Sequence, residues 1–372
     1  MGNSPIGTGG DVAQLSKFYR AGTWIEGRAE DQLTEVAGWP GMSRIAAFPD
    51  LHPGRFGPVG AAFLADRLWP QLVGPDIGCG MALFALDLPG RKLNLDRAAR
   101  RLRMLEGPDD GADAALAAAD IPDLTAMGLG TIGGGNHFCE VQEVAEVAPG
   151  APLATGDLCL LVHSGSRSQG AGIFAALQGE WGAGFAPDSD AGRAYLARHD
   201  AAVRWARLNR ARIADRAAQA LRCQATLICD TSHNHLRETD NGWLHCKGAA
   251  EADRGLAPLA GSRDAASYLL AVTGRDPDAL GALSHGAGRR YDRAAMHGRM
   301  REGRADLAAM TRNALGGRVI CEDRALQVEE SGRAYKNAAA VVADLAAFDL
   351  AHPLATLVPR ITFKTARTGG EA

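Results

Sequence analysis

Nowhere in the 372 residues is there a run of about 18 uninterrupted apolar side chains, which excludes a membrane-spanning helix. The N-terminal segment MGNSPIGTGG lacks a basic stretch followed by an apolar one, so no secretory leader is expected. Ile6 stands where a myristoylation signal needs Ser or Thr. Seven cysteines, odd in number and irregular in spacing, make no disulfide framework, and a reducing, cytoplasmic setting is expected. The formal net charge of −3 excludes an overall basic coat but leaves room for a local basic groove. The chain has no fixed-period repeat, no long low-complexity linker and no RNA-binding module signature. It also lacks a GxxxxGK[ST] loop and a GxGxxG strand–helix turn, so any nucleotide has to be held by another device.

What is present is an ordinary globular composition, 46% hydrophobic and 22% charged. Apolar runs at 44–48, 81–88, 158–162, 225–229, 267–272 and 318–321 predict strands. Helical spacing predicts helices over 95–105, 190–222, 305–315 and 338–350, with alanine-rich filler at 114–119 and 338–347. Strands and helices do not alternate regularly, which favours an α+β fold over a doubly wound parallel sheet. Motif residues fall in both halves, so residues 1–372 are expected to form a single catalytic domain, with sheets flanked by helices.

The unusual residues concentrate in six glycine-bearing segments: PDLHPGRFGPVG (49–60), GPDIGCG (74–80), GGGNHFCE (133–140), HSGSR (163–167), DTSHNH (230–235) and SHGAGR (284–289). Glycine in such loops lets a ligand approach the backbone closely. Asp76 and Cys79 can aim at one cation if the turn between them folds back, and a thiolate can bridge two ions; alone, the segment also reads as a tight turn with a buried cysteine. His52, His137, His163, His233 and His285 all follow apolar runs in Gly-, Ser- or Asn-rich loops. One such histidine is ordinarily a hydrogen-bonded structural residue, whereas five, with an Asp and a Cys, point to a polynuclear metal site. His199, His297 and His352 read as surface residues, and His235 and His245 fit either description. Ligand softness would suggest zinc, without deciding the metal. HSGSR and SHGAGR are small-residue loops able to cradle phosphate, with Arg167 or Arg289 adding charge, or else ordinary turns.

Taken in order, DxxC, GxxNH, HSGSR, SHN and HGAG, with a lysine near the C-terminus, resemble the RtcB RNA ligases from about Phe48 to Lys364. The resemblance implies that Asp76, Cys79, His137, His163 and His233 bind two Mn2+ ions, with Cys79 bridging them. It implies that His285 attacks the α-phosphorus of GTP and carries the guanylate. Asn136, Glu140, His233, Asn234, Ala260, Gly261, Ser262, Arg263, Ser267, Gly286, Ala287, Gly288 and Lys364 would hold that nucleotide, and Arg167 would lie near the RNA phosphate. The implied reaction joins an RNA 2′,3′-cyclic phosphate or 3′-phosphate end to a 5′-hydroxyl; a metal-dependent phosphoesterase that only opens cyclic phosphates would share the metal ligands.

Some features depart from the family pattern. Ser284 precedes the nucleophile where the family usually has cysteine, and HSGSR continues with Ser168-Gln169. The segment between Cys79 and Asn136 looks short, and eight residues follow Lys364. These features resemble a short subgroup associated with a release-factor-like protein, for which broken transfer or ribosomal RNA is the implied substrate. Arg97, Arg100, Arg101 and Arg103, then Arg204, Arg207, Arg210 and Arg212, give basic helix faces that either contact phosphate or are simply solvated.

Overall fold

The structure, a computed structural model, describes residues 12–121, 124–177, 179–252, 255–300 and 303–366. The MGNSPIGTGG segment and residues 367–372 of the C-terminal extension lie outside the described residues. In chain order the strands are β1 (Gln14–Lys17), β2 (Met42–His52), β3 (Val59–Ala65), β4 (Gly80–Leu86), β5 (Phe138–Val147), β6 (Leu158–Ser164), β7 (Ala225–Ser232) and β8 (Asn234–Thr239). They continue with β9 (Gly242–Lys247), β10 (Ala249–Glu251), β11 (Leu256–Leu259), β12 (Ser267–Val272), β13 (Ala282–Ser284), β14 (Arg318–Cys321) and β15 (Ala351–Thr365). One sheet has the order β1-β2-β3-β9-β8; a larger one runs β11-β12-β15-β5-β6-β4-β7 with β14 alongside β15; β10 and β13 form a two-stranded ribbon. Most pairings are antiparallel, which is the α+β arrangement expected.

Every residue of β6 is buried, and β4 is buried except for half-buried Ala85, because both faces of the larger sheet are covered. Met81 and Leu83 pack with Leu161, Leu269 and Leu357 on one side. Ala82, Phe84 and Leu86 pack on the other side with Ile213, Ala214 and Ala217 of the helix Asp190–Leu221. That helix is about 48 Å long at 1.5 Å per residue. It starts at Ser189, whose hydroxyl accepts the Gly192 N–H at 3.0 Å, and stops at Arg222 in the left-handed conformation (φ 62°, ψ 49°).

This helix corrects two expectations. His199 is buried, its Nε2 accepting the Leu236 N–H at 3.0 Å, so the surface reading fails. Helical periodicity placed it among polar neighbours without showing that β8 packs there. The basic face is also largely consumed internally. Arg210 is fully buried and donates to the carbonyls of Gly78 (2.8 Å) and Ser164 (2.9 Å) and to Asp230 (2.8 Å). Arg207 pairs with Glu251, Arg212 with Asp109, and Arg103 with Glu322. Arg97, Arg100, Arg101 and Arg204 make no ion pair among the described residues. The helix expected over 305–315 is confined to Arg304–Ala309, and the one over 338–350 to Ala338–Ala347, because β15 begins at Ala351.

Candidate metal and nucleotide site

The strands β5, β6, β4 and β7 are neighbours, and their register aligns one end of each: Met81 lies opposite both His163 and Thr231, and Phe138 lies opposite His163. Cys79, His137, His163 and His233 sit at or one residue beyond those ends, so sheet pairing gathers them from across 150 residues of sequence. Asp76 joins from the loop before β4. Its carboxylate passes so close to Gly165 that a Cβ there would lie 2.0 Å from Oδ1, which explains the glycine of HSGSR.

The ligand atoms form two groups that share Cys79: Cys79, His163 and His233, and Asp76, Cys79 and His137, each with its atoms within 4.8 Å of one another. Cys79 Sγ lies 3.3 Å from His137 Nε2 and 3.2 Å from His163 Nε2; the Nε2 atoms of His163 and His233 are 3.3 Å apart. His163 directs Nδ1 at the Asn136 carbonyl (3.2 Å), so its Nε2 lone pair faces that of His233. Burial, reinforced by the neighbouring histidines, holds the His163 and His233 rings well below their ordinary pKa and therefore neutral. Burial and the Asp76 charge push the Cys79 thiol up, a tendency that a bound cation reverses. Converging lone pairs of S, N and O donors with little to donate between them fit a metal centre.

Of the five loop histidines, His52 and His285 lie outside these groups. His52 directs Nδ1 at the Asp50 carbonyl at 2.8 Å, and burial lowers its pKa to about 4. His285 follows the ribbon strand β13, and its ring centre lies 4.4 Å from that of His233. His285 Nδ1 lies 2.6 Å from the Gly248 carbonyl and 2.8 Å from Asp50 Oδ2. Both neighbours are acceptors, so Nδ1 carries the proton and Nε2 presents a lone pair. Asp50 is fully buried. Burial alone would raise its carboxyl, but hydrogen bonds and charge from His285, together with the Ser284 hydroxyl at 2.8 Å, hold it below its ordinary value. The serine that departs from the family pattern is thus a donor to Asp50. Gly288 (φ 71°) closes the loop, where a Cβ would lie 2.2 Å from the Asp50 carbonyl. Sequence reasoning missed Asp50 as a functional residue; its one signal was a carboxylate inside an apolar strand segment already singled out at 49–60.

A cavity of about 630 Å³ opens beside His285. Asn136, Glu140, His163, His233, Asn234, Ala260, Gly261, Ser262, Arg263, Gly286, Ala287, Gly288 and Lys364 line it. The strip Ala260–Gly261 is held against the loop that carries His285: Ala260 N–H donates to the His285 carbonyl (3.2 Å) and Ala287 N–H to the Ala260 carbonyl (2.8 Å). Ser267 is not in the lining. Its hydroxyl accepts from Gly261 N–H (3.0 Å) and Gln142 (2.9 Å), so it supports the strip from behind. Glu140, on β5 opposite Thr362 of β15, accepts from Thr362 and Gln142; burial lifts its carboxyl to about 7. Lys364 donates to the His137 carbonyl at 3.0 Å and faces Glu330 at 3.8 Å; burial lowers its pKa. Gln142, Thr362 and Glu330 carried no sequence signal.

The two arginines of the small-residue loops part company. Arg289 is committed to Glu330 (2.9 Å) and the Glu329 carbonyl (2.8 Å). Arg167 lies outside the cavity lining. Its backbone adopts φ 57°, ψ −132°, a region costly for any side chain. Its charge is felt by Asp76.

The family model described as "tRNA-splicing ligase RtcB" matches residues 32–106 and 106–365. The "RNA-splicing ligase RtcB2" of Escherichia coli (strain ATCC 25922) is 40% identical over 364 residues, covering 94% of each chain. The "RNA-splicing ligase RtcB" of Mycobacterium tuberculosis is 32% identical over 280 residues, covering 62% of this chain and 63% of the relative. A more distant likeness, 23% over 440 residues, links it to "RNA-splicing ligase RtcB homolog 1" of Entamoeba histolytica, covering 90% of this chain and 83% of that one. With its strand-end ligands and its propped histidine arranged as described, and with matches along nearly its whole length, the chain belongs to the RtcB family.

Proposed function

We propose that this RtcB-family chain is an RNA ligase that joins RNA 2′,3′-cyclic phosphate or 3′-phosphate ends to 5′-hydroxyl ends through a guanylylated His285, in RNA repair. The observation that carries the reading is the tautomer of His285: two acceptors fix the proton on Nδ1 and leave Nε2 as a nucleophile at the cavity wall. Nε2 bonds to the α-phosphorus of GTP and pyrophosphate leaves. As the ring becomes cationic, the buried Asp50 carboxylate and the Gly248 carbonyl stabilise it. An oxygen of the RNA 3′-phosphate next takes the guanylate, and the N–P electron pair returns to Nε2. The 5′-hydroxyl then attacks the activated phosphate and GMP departs. A cyclic end is first opened by water.

Asp76, Cys79, His137, His163 and His233 would hold two metal ions, with Cys79 common to both; such ions neutralise phosphate oxygens and align nucleophile with leaving group. Manganese is the family's metal, whereas the donor set by softness favours zinc. Asn136, Glu140, His233, Asn234, Ala260, Gly261, Ser262, Arg263, Gly286–Gly288 and Lys364 bind the guanylate, with Ser267 holding Gly261 in place; Arg167 meets the RNA phosphate. Residues 1–372 act as a single catalytic domain, a reading supported by site residues drawn from Asp50 through Lys364. The short segment between Cys79 and Asn136 supports broken transfer or ribosomal RNA as substrate and a release-factor-like protein as functional partner.

The test is incubation with manganese and GTP labelled at the α-phosphate, followed by denaturing electrophoresis and then addition of RNA with compatible ends. Label is expected to stay on the chain and to be discharged as the RNA is joined. A metal-loaded protein that takes no label yet turns cyclic ends into 3′-phosphates is a phosphoesterase, and the proposal falls.

A further inference from the structure

We infer that Trp24, Arg290, Tyr291 and Arg299 form a stacking rim that holds single-stranded RNA beside the cavity; this inference rests on the ligase reading. Trp24 is 43% exposed, so its indole ring is open to a stacking partner. It lies just ahead of the helix Gly27–Ala37, where Glu26 and Arg28 line the cavity together with Arg290 and Tyr291. The four side chains alternate in type. The Arg290 guanidinium lies 5.8 Å from the Trp24 ring centre and 5.4 Å from that of Tyr291, and the Arg299 guanidinium lies 4.1 Å from Tyr291.

The arginines around this loop fall into two classes. Arg289 pairs with Glu330, and Arg293 with both Glu330 and Glu329. Arg290 and Arg299, both exposed, have no side-chain hydrogen bond or ion pair among the described residues. Lys336, 5.5 Å from the Trp24 ring, is committed to the carbonyls of Pro49 and Leu51 and steadies the platform. Glu26 and Asp292 are exposed acids beside the rim, and Asp292 also caps the short helix that follows. Two free guanidiniums interleaved with two aromatic rings suit a ligand that alternates flat bases with phosphates. An acidic peptide would use the charges and leave the rings without work. The rim continues directly from the loop Gly286–Gly288 that follows the nucleophile, so a strand stacked there leads its end toward His285. Because the basic face of the long helix is largely consumed by internal pairs, the rim supplies charge that the helix does not.

The experiment measures binding of a fluorescent, 5′-hydroxyl, single-stranded RNA of about ten nucleotides to the full-length, manganese-loaded protein. Variants are Trp24→Ala, Trp24→Phe and Arg299→Ala, and guanylylation, which uses no RNA, is scored on the same samples. Trp24→Ala is expected to bind roughly 5- to 100-fold more weakly, with most of the loss restored by Phe. Arg299→Ala is expected to flatten the salt dependence of binding. Guanylylation unchanged with RNA binding lost supports the rim. Wild-type RNA affinity and salt dependence in Arg299→Ala, or wild-type affinity in Trp24→Ala, overturns it. A Trp24→Ala protein that no longer folds leaves the decision to Arg299→Ala at its exposed position. Failure of the ligase reading shows separately, as wild-type protein that takes no label.

Discussion

The candidate metal ligands and the proposed nucleophile lie side by side yet are built in opposite ways. Around Cys79, the sulfur lies 3.3 and 3.2 Å from the Nε2 atoms of His137 and His163, His163 lies 3.3 Å from His233, and His137 meets the Asp76 carboxylate at 2.7 Å, so the side chains answer chiefly one another. Around His285, each polar neighbour is matched: Nδ1 to Gly248 and Asp50, and Asp50 to Ser284 and to the His285 backbone. One region converges as a cation site would, whereas the other is held in place by the protein's own hydrogen bonds. The difference follows from where the groups stand. Ligands at adjacent strand ends are forced together by sheet register, while His285 hangs from a ribbon loop that must be fixed by hydrogen bonds.

The comparison can be broken most severely at its two centres. Cys79→Ala and His285→Ala are each expected to lower guanylylation by on the order of 10³-fold or more. Metal analysis should separate them, because only the Cys79 variant loses more than half of its bound metal. Equal metal loss in both would mean that the two regions are one.

Next in size is Asp50→Asn, which keeps shape but removes the charge behind the nucleophile. Guanylylation should slow by about 10²–10⁴-fold with metal content unchanged, by analogy with the orienting carboxylate of a catalytic triad. A single-turnover rate within twofold of wild type would remove Asp50 from the mechanism.

Metal removal tests that contrast directly. A cation present at 100 times its dissociation constant stabilises by about 2.7 kcal/mol, so chelation should lower the melting temperature of wild type by a few degrees and that of Cys79→Ala by much less.

The smallest expected effect concerns a pair that belongs to neither centre. Arg212 donates to Asp109 at 2.7 and 2.8 Å, and that bond, ahead of burial, which opposes it, lowers the Asp109 carboxyl. A depressed carboxylate stabilises fully above its unfolded value of about 4 and loses that contribution as pH falls through the folded one. Asp109→Asn should cost about 1–3 kcal/mol near neutrality, and its melting curve should converge on that of wild type in acid. Arg212→Ala should do the same without weakening RNA binding, in contrast to the rim arginine Arg299.

Much of the site was legible because its chemistry needs rare residues at glycine-bearing strand ends. Asp76, Cys79, His137, His163 and His233 announce themselves by type, and they do meet. Arg167 carries an equally distinctive motif yet lies outside the cavity lining, since a motif fixes a loop's shape without fixing which way its side chains turn; Ser267, assigned to the nucleotide by the resemblance alone, lies on β12 and outside the lining too. β15 was hidden for a local reason. Pro353 and Pro359 interrupt its pattern and argue against a central strand, but register shifts beside them let the ladder continue. Arg210 and His199 look like surface residues in a helical repeat and become buried partners of backbone groups only when β4, β6 and β8 dock there.

By itself, then, the sequence determined the local matters: the α+β pattern, six of the fifteen described strands, the long helix Asp190–Leu221, and the identity of the candidate donor atoms. Those depend on side chains within a few residues of one another. Tertiary structure alone decided which donors share Cys79, which nitrogen of His285 carries the proton, and which arginines keep their charge for a ligand. The proton on His285, for one, depends on partners 37 and 235 residues away in sequence, brought near by tertiary packing rather than by spacing.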